Sequence, residues 1–332
     1  MSSVVGDVIS NGLTIHSGGD LPVLKVEGFD GYDFASLGVT EQFLSDAHVY
    51  YEKYTKPEHF KDLYSIALRL IDLPKGRVKM LDIGTGGGNS LFAMLSLVGA
   101  DRLEALGVDI SPQLLELCAN AALTEFKADP SKLGLVCADL YDLDIIPESV
   151  DLVAGSSILH HMIDPAPIVR KALSALKPGG SAIFTEPFED GHGLLCNAYR
   201  LILSFSAIVN EPLEQRLATF MEEIIRDFDA RKGIDDIRDY THVLDDKWFF
   251  TRSWFYDLGR EFGCDVRIVP THGAGPTIFW EAAKSNARLH NGADANSLPD
   301  WAKQIIQSLD ETFSERQKAD FAFTAVVVFT KQ

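Results

Sequence analysis

The residues with the clearest chemical meaning lie in LDIGTGGGNS, Leu81 to Ser90. Glycines at Gly84, Gly86, Gly87 and Gly88 follow an apolar run ending at Asp82-Ile83 and precede a helical pattern. Glycine lets the chain turn sharply and lets a ligand approach the backbone without meeting a Cβ. The N–H groups at the start of a new helix favour polar or anionic ligand groups. Two common versions of this turn do not fit. GxGxxG, counted from Gly84 and Gly86, needs a small residue where Asn89 stands, and GxxxxGK[ST] needs a lysine after these glycines, where there is none. The pattern is instead Asp-x-Gly-x-Gly-x-Gly, from Asp82 to Gly88.

Two further carboxylates end apolar runs. Asp109 closes the run in LEALGVDI, where a carboxylate can accept both hydroxyls of a ribose. Asp139, in LGLVCADL, stands where it can meet an adenine amino group, although a plain capping role would also place an aspartate there. If the three runs are neighbouring parallel strands, Asp82, Asp109 and Asp139 converge on one crevice.

Proton transfer has two candidates. His160 lies in SSILHHMID, Ser156 to Asp164, and an imidazole of ordinary pKa, about 6.5, suits base catalysis near neutrality. Its neighbour His161 reads as a packing or orienting residue. Glu186, in SAIFTEP, could act as base, orient a substrate, bind a metal, or simply accept backbone N–H groups at a strand end. His160, His161, Glu186 and His192 show no ligand spacing such as HExxH, so no metal is expected.

These residues need elements to position them. From Val78 onward, strand-like runs alternate with helical patterns: 78–84, 103–110, 133–140, 150–157 and 181–187 are strands, with helices near 90–97, 112–123 and 165–176. Such alternation predicts an α/β fold, a parallel sheet with helices on both faces. Helix 253–262 and strands 265–271 and 321–331 continue it. Two insertions, about 190–250 and 273–320, interrupt the pattern; long interruptions in α/β domains commonly cover a site. The first is rich in aromatics, among them Phe188, Tyr199, Phe220, Trp248, Phe249 and Phe250, which can wall an apolar pocket or join the insertion to the sheet. Residues 1–35 read as a hairpin or extended arm, and helices follow from about Thr40 to Tyr54 and from Pro57. Tyr51 and Tyr54 are candidates to complete a lid, and Arg200 or Arg252 to meet a substrate carboxylate or make ordinary salt bridges.

Composition narrows the classes. The chain has 332 residues, 46% of them apolar and 23% charged, enough for a sizeable core. Thirty basic against 48 acidic residues give a net charge of −18, which opposes nucleic-acid backbones and anionic membranes. Cys118, Cys137, Cys196 and Cys264 form no CxxC pair and read as free thiols. The N-terminus lacks a basic region followed by an apolar stretch, and no apolar run approaches a membrane span. A cytoplasmic protein is expected, without nucleic-acid or membrane partners.

Taken together, LDIGTGGGNS, GVDIS, CADL, SSILHHMID, LKPGGSAIFTEP and WFFTRSWFYDLGREFG resemble the class I S-adenosylmethionine-dependent methyltransferases. The resemblance covers roughly 78–187, 248–271 and 321–331. It implies a Rossmann-like doubly wound sheet of seven strands, order 3-2-1-4-5-7-6, the seventh antiparallel. It divides the chain into an N-terminal arm and helical lid, 1–75, and a cofactor-binding domain, 76–332. By carry-over, Asp82 and the turn Gly84, Thr85, Gly86 to Gly88 hold the amino-acid part of S-adenosylmethionine. Asp109 with Ile110 binds the ribose, Asp139 with Leu140 borders the adenine, and Ser156 lies near the methionine portion. His160 and Asp164 occupy the places of a His-x-x-x-Asp stretch whose histidine is the base in small-molecule O-methyltransferases. The expectation is methyl transfer to a small, partly apolar metabolite, at oxygen or alternatively at nitrogen or carbon. A peptide or protein methyltransferase, or a cofactor-binding protein without methyl transfer, are the alternatives. The insertions could equally build a homodimer interface.

Overall fold

The structure is a computed structural model that describes residues 3–29, 34, 38–209, 211–234, 236–272, 275–290 and 292–332. In chain order the elements are α1 Ser3–Val8, β1 Leu13–Ile15, β2 Val23–Val26, α2 Ala47–Tyr54, α3 Pro57–Leu68, β3 Val78–Ile83, α4 Asn89–Val98, β4 Leu103–Asp109, α5 Pro112–Thr124 and β5 Leu133–Cys137. They continue with β6 Val150–Ser156, α6 Ala166–Ala175, β7 Leu176–Pro187, α7 Glu189–Val209, α8 Gln215–Arg231, α9 Arg252–Glu261, β8 Cys264–Pro270, α10 Ile278–Leu289, α11 Asp300–Thr312, α12 Glu315–Lys318 and β9 Thr324–Lys331.

The strands β3 to β7 are apolar on both faces because helices cover both sides of the sheet. Side chains alternate across it: Leu81 and Ile83 pack with Leu106 and Val108 into one core, Val78 and Met80 with Leu103 and Ala105 into the other. Local chemistry starts the helices. Ser111 accepts the Leu114 N–H at 3.2 Å ahead of Pro112, and Thr251 accepts from Trp254 at 3.3 Å, each satisfying an otherwise unpaired first-turn donor.

The expectation of seven strands is corrected. Among the described residues the sheet has nine, in the order β1-β2-β5-β4-β3-β6-β7-β9-β8. The added pair comes from the N-terminal arm: β1 and β2 form an antiparallel hairpin, and β2 pairs parallel with β5. This hairpin takes the edge that β5 would otherwise hold, so the order differs from the expected one. β9 runs antiparallel to β7 and β8. From β3 the sheet grows in both directions, through β4 on one side and β6 on the other. Open α/β sheets bind ligands beyond the strand ends at such a switch point.

The insertions fold as a helical cover with its own apolar centre. Leu195 and Tyr199 of α7, Phe220 of α8, Phe279 of α10 and Ile306 of α11 are buried together. Among the described residues one helix, α7, is long and apolar enough to cross a membrane by length and composition alone. Its Leu195, Cys196, Tyr199 and Ile202 are buried in the cover, while Leu201, Phe205 and Ile208 are exposed.

Candidate active site

The turn after β3 is shaped by its glycines. Gly88 has φ +97°, and a Cβ there would lie 2.4 Å from the Phe92 ring and 2.9 Å from the Cys118 sulfur. Gly88→Ala is therefore expected to destabilise the fold by about 1–3 kcal/mol, from left-handed strain and overpacking. Urea unfolding monitored by circular dichroism measures this, and an unchanged midpoint contradicts it.

Asp82 is the organiser of the turn. It is fully buried, and its two oxygens accept hydrogen bonds from the Thr85 hydroxyl and, at 2.6 Å, from the Ser90 hydroxyl. Burial pushes its pKa up to about 7, against the downward pull of those hydroxyls. Its side chain does not line the cavity above. Gly88 also lies outside the lining, whereas Gly84, Thr85, Gly86 and Gly87 face it.

That cavity has a volume of about 590 Å³. Asp109, at the end of β4, accepts the Gly86 N–H and the Ser111 N–H, both at 2.8 Å. A carboxylate offers about four acceptor positions, so two remain for a vicinal diol. Burial raises the Asp109 pKa to about 6, against these backbone hydrogen bonds. Asp139 accepts the Tyr141 N–H at 2.9 Å through one oxygen, and the cavity passes between it, Ile110 and Leu140. Ser156 also lines the cavity, but its hydroxyl is hydrogen-bonded to the buried Tyr64 at 2.8 Å, tying α3 to the end of β6. These residues fit an adenine nucleoside: a paired carboxylate for the ribose, a second for the base, and an open glycine turn.

The far end of the cavity is built around His160, in the short turn Leu159–His161. Glu186, fully buried near the end of β7, meets His160 Nδ1 at 2.6 Å. Glu186 also accepts the Ile158 and Leu159 N–H groups at 3.1 and 2.9 Å, so it is the strand-end acceptor of backbone bonds and lies behind the histidine, outside this cavity. A carboxylate in that position can only accept, which puts the proton on Nδ1 and turns Nε2 outward. His160 Nε2 lies 3.5 Å from Asp246 Oδ1, and His161 Nδ1 lies 3.4 Å from the same oxygen. Burial alone would lower the His160 pKa; Glu186 and Asp246 outweigh it and push it up to about 9. His161 behaves oppositely: burial and the His160 charge hold it down at about 3. Partial burial opposes ionisation of Asp246, but His160 and Arg231 hold its carboxyl well below the usual range.

Asp164 does not partner His160. Its carboxylate accepts the Ala166 N–H at 3.2 Å, and the carboxylates that meet the His160 ring are Glu186 and Asp246. Asp246 and Arg231 escaped sequence reading because they lie in an insertion without a motif. The Lys247 N–H, bonded to the His160 carbonyl at 2.6 Å, brings that segment back to the site. His160, His161 and Asp246 offer three ligand atoms within 4.8 Å of one another, the trio among the described residues that could face a cation. Charge at this corner is already balanced by Arg231, whose Nη1 stands 3.5 Å from Asp246 Oδ2.

The roof comes from the N-terminal helices. Phe43, Tyr50, Tyr54 and Phe60 line the cavity, and none of the aromatics between 188 and 256 does. Phe188, Tyr199, Phe220, Trp248, Phe250 and Phe255 are buried in the cores, the packing role that was the alternative to a pocket wall. Rings run in sequence from His161 to Phe43, Tyr50 and Tyr54, with centroids 5.0, 5.0 and 4.8 Å apart. Tyr51 lies outside the lining, behind Gly87, while Tyr54 does face the cavity. Arg200 and Arg252 form salt bridges with Asp229 and Asp190 at 2.7 and 3.2 Å.

Residues 81–184 match the family model described as a methyltransferase domain. The ubiquinone biosynthesis O-methyltransferase of Methylococcus capsulatus is 31% identical over 160 residues, covering 46% of this chain and 62% of that protein. The arsenite methyltransferase of Aquipseudomonas alcaligenes is 30% identical over 118 residues, covering 34% of this chain and 33% of that protein. The chain thus spans less than two thirds of the curated relatives it matches. Phosphoethanolamine N-methyltransferase 2 of Haemonchus contortus, solved with S-adenosylmethionine, aligns with a TM-score of 0.43 at 16% identity, over 80% of this chain and 50% of that one. The matched segment opens in β3 and closes in β7, so it spans the strand ends that carry the cavity, and over residues 81–184 the chain carries a methyltransferase domain.

Proposed function

We propose that the protein transfers the methyl of S-adenosylmethionine to a hydroxyl of a small, partly apolar molecule, with His160 as the general base. The observation that carries this reading is the position of His160. It stands between Glu186 and Asp246 on the wall of the cavity that the glycine turn, Asp109 and Asp139 also line. S-adenosylmethionine supplies an electrophilic methyl on a sulfonium. The chain's task is to hold the acceptor oxygen in line about 3 Å away and to exclude water. The aromatic roof of Phe43, Tyr50 and Tyr54 supports a small acceptor over a protein chain. Support for oxygen as the methylated atom comes from the Methylococcus capsulatus relative, named for O-methyl transfer.

Proton transfer runs from the acceptor hydroxyl to His160 Nε2. Glu186 fixes the tautomer, and both carboxylates stabilise the imidazolium that forms. A base of pKa about 9 is matched to an acidic hydroxyl such as a phenol or enol, whose pKa is about 10, more closely than to an alcohol. Cys118, Cys137, Cys196 and Cys264 form no disulfide, which suits a reducing, cytoplasmic setting.

Methyl-labelled S-adenosylmethionine, incubated with the protein and fractionated small-molecule extracts, tests the activity: label must move to a small molecule, and transfer to proteins alone sinks the reading. The pH profile tests the base. His160 is protonated below its raised pKa, so kcat/KM must climb as pH approaches about 9. Asp246→Asn removes one of the charges that raise it and should move the rise to lower pH by about one unit or more. A profile that Asp246→Asn leaves in place contradicts the assignment.

A further inference from the structure

Asn89 stands where a small residue would complete the GxGxxG pattern, and neither the cofactor seat nor the base accounts for it. It opens α4, directly after the glycine turn. Its side-chain amide meets the junction of α2 and α3 twice: Oδ1 accepts the Lys56 N–H at 2.7 Å, and Nδ2 donates to the Tyr54 carbonyl at 3.1 Å. Among the described residues these are the hydrogen bonds that join the 54–56 junction to the glycine turn. Packing reinforces them. A Cβ on Gly87 would stand 2.5 Å from the Thr55 hydroxyl and 2.6 Å from the Tyr51 ring, so the junction lies directly on the turn.

The roof helix needs such anchors. α2 has eight residues, of which only Ala47 is buried, and no side chain caps its N-terminus. A helix this short is marginal by itself, and little apolar packing holds this one. At the other end of the roof, the fully buried Lys247 donates through Nζ to the Gly38 carbonyl at 3.0 Å, while its N–H holds the His160 carbonyl. The roof is thus clasped at two ends, by the glycine turn and by the segment that carries Asp246. Gly86 and Gly87 line the same cavity as Tyr50, Tyr54 and Lys56. A nucleoside that orders the turn therefore also orders the first residue of α4, and with it the junction.

We propose that Asn89 is a positioning residue for methyl transfer: its amide couples occupancy of the nucleoside seat to the placement of α2, and so of Tyr50 and Tyr54, over the acceptor. The acceptor's place under this roof rests on the methyl-transfer reading above; the coupling itself is read with the demethylated cofactor alone.

The test is amide hydrogen exchange, followed by NMR on the full, isotopically labelled chain with and without saturating S-adenosylhomocysteine. In the wild type the ligand should slow exchange of the Tyr50, Thr55 and Lys56 amides about tenfold, the worth of two ordinary hydrogen bonds, together with the Gly86 and Ser111 amides of the seat. In Asn89→Ala the seat amides should keep their protection while Tyr50 and Thr55 lose their gain. Coupling is reciprocal, so the S-adenosylhomocysteine Kd should rise by no more than the factor lost at the roof. Asn89→Asp, which still accepts the Lys56 N–H but offers no donor to the Tyr54 carbonyl, should restore part of the gain. A roof that keeps its full gain in Asn89→Ala overturns the proposal. Loss of seat and roof protection together overturns it as well, because Asn89 then only holds the turn. The wild-type Lys56 amide decides even where a variant fails to fold: exchange that the ligand leaves unchanged overturns the coupling and spares the methyl-transfer reading. Failure of the wild-type chain to bind S-adenosylhomocysteine, measured first, overturns both.

Discussion

His160→Ala should lower the methyl-transfer turnover about 10²- to 10⁴-fold, the range a positioned general base contributes. It should leave the Kd for S-adenosylhomocysteine within about threefold. Both expectations come from where the imidazole stands: it lines the cavity beside Asp246, while the ribose contacts are assigned to Asp109, on a different strand end. Truncation leaves the Glu186 carboxylate supported by the Ile158 and Leu159 N–H groups, so the buried acid is not orphaned and the turn after β6 keeps its anchor. His160→Gln provides a bulkier control that cannot take up a proton at neutral pH. Turnover that survives both substitutions removes His160 from the chemistry; a parallel loss of nucleoside binding shows that it only holds the site together.

Asp109→Ala should weaken S-adenosylhomocysteine binding about 100-fold, with turnover at saturating cofactor much less affected. Hydrogen bonds to a charged acceptor contribute about 1.5–3 kcal/mol each, and the carboxylate has positions for both ribose hydroxyls. The same carboxylate holds the Gly86 and Ser111 N–H groups, so part of the loss is loosening of the glycine turn. Asp109→Asn, which keeps an oxygen for the backbone, should fall between the two. The sign of the pH effect follows from burial. The Asp109 pKa is raised to about 6, so the ionised form that serves the ribose best is depleted below that pH. Affinity measured by calorimetry should fall from pH 7 to pH 5 in the wild type and stay flat in Asp109→Ala. Equal affinities at both pH values in the two proteins would place the ribose elsewhere.

The parts of this site that were legible in the sequence are those encoded locally. Glycines between an apolar strand and a helix, and aspartates at strand ends, carry their structural meaning within about ten residues. What they could not convey is how each side chain is spent. The sequence reads Asp82 as a carboxylate beside the turn, and the structure adds that it is fully buried and accepts from Thr85 and Ser90 inside the same motif. Asp246 and Arg231 were invisible for the opposite reason. They belong to an insertion whose path is set by long-range contacts, such as the Lys247 N–H on the His160 carbonyl. The N-terminal hairpin was legible as a hairpin but not as part of the sheet, because its parallel pairing with β5 joins runs more than a hundred residues apart. The aromatic insertion left two readings open, because aromatic density marks burial as readily as a pocket; many of its rings fill the cores, and the roof is supplied by Phe43, Tyr50, Tyr54 and Phe60.

The central claim is that one cavity seats the nucleoside on Asp109 and presents its sulfur toward His160. A crystal structure of the S-adenosylhomocysteine complex tests this directly. The account predicts ribose hydroxyls within about 3 Å of the Asp109 carboxylate, adenine beside Asp139 and Leu140, and the sulfur opening onto the space in front of His160 Nε2. A nucleoside bound elsewhere, or a sulfur walled off from His160 by packed side chains, would contradict it.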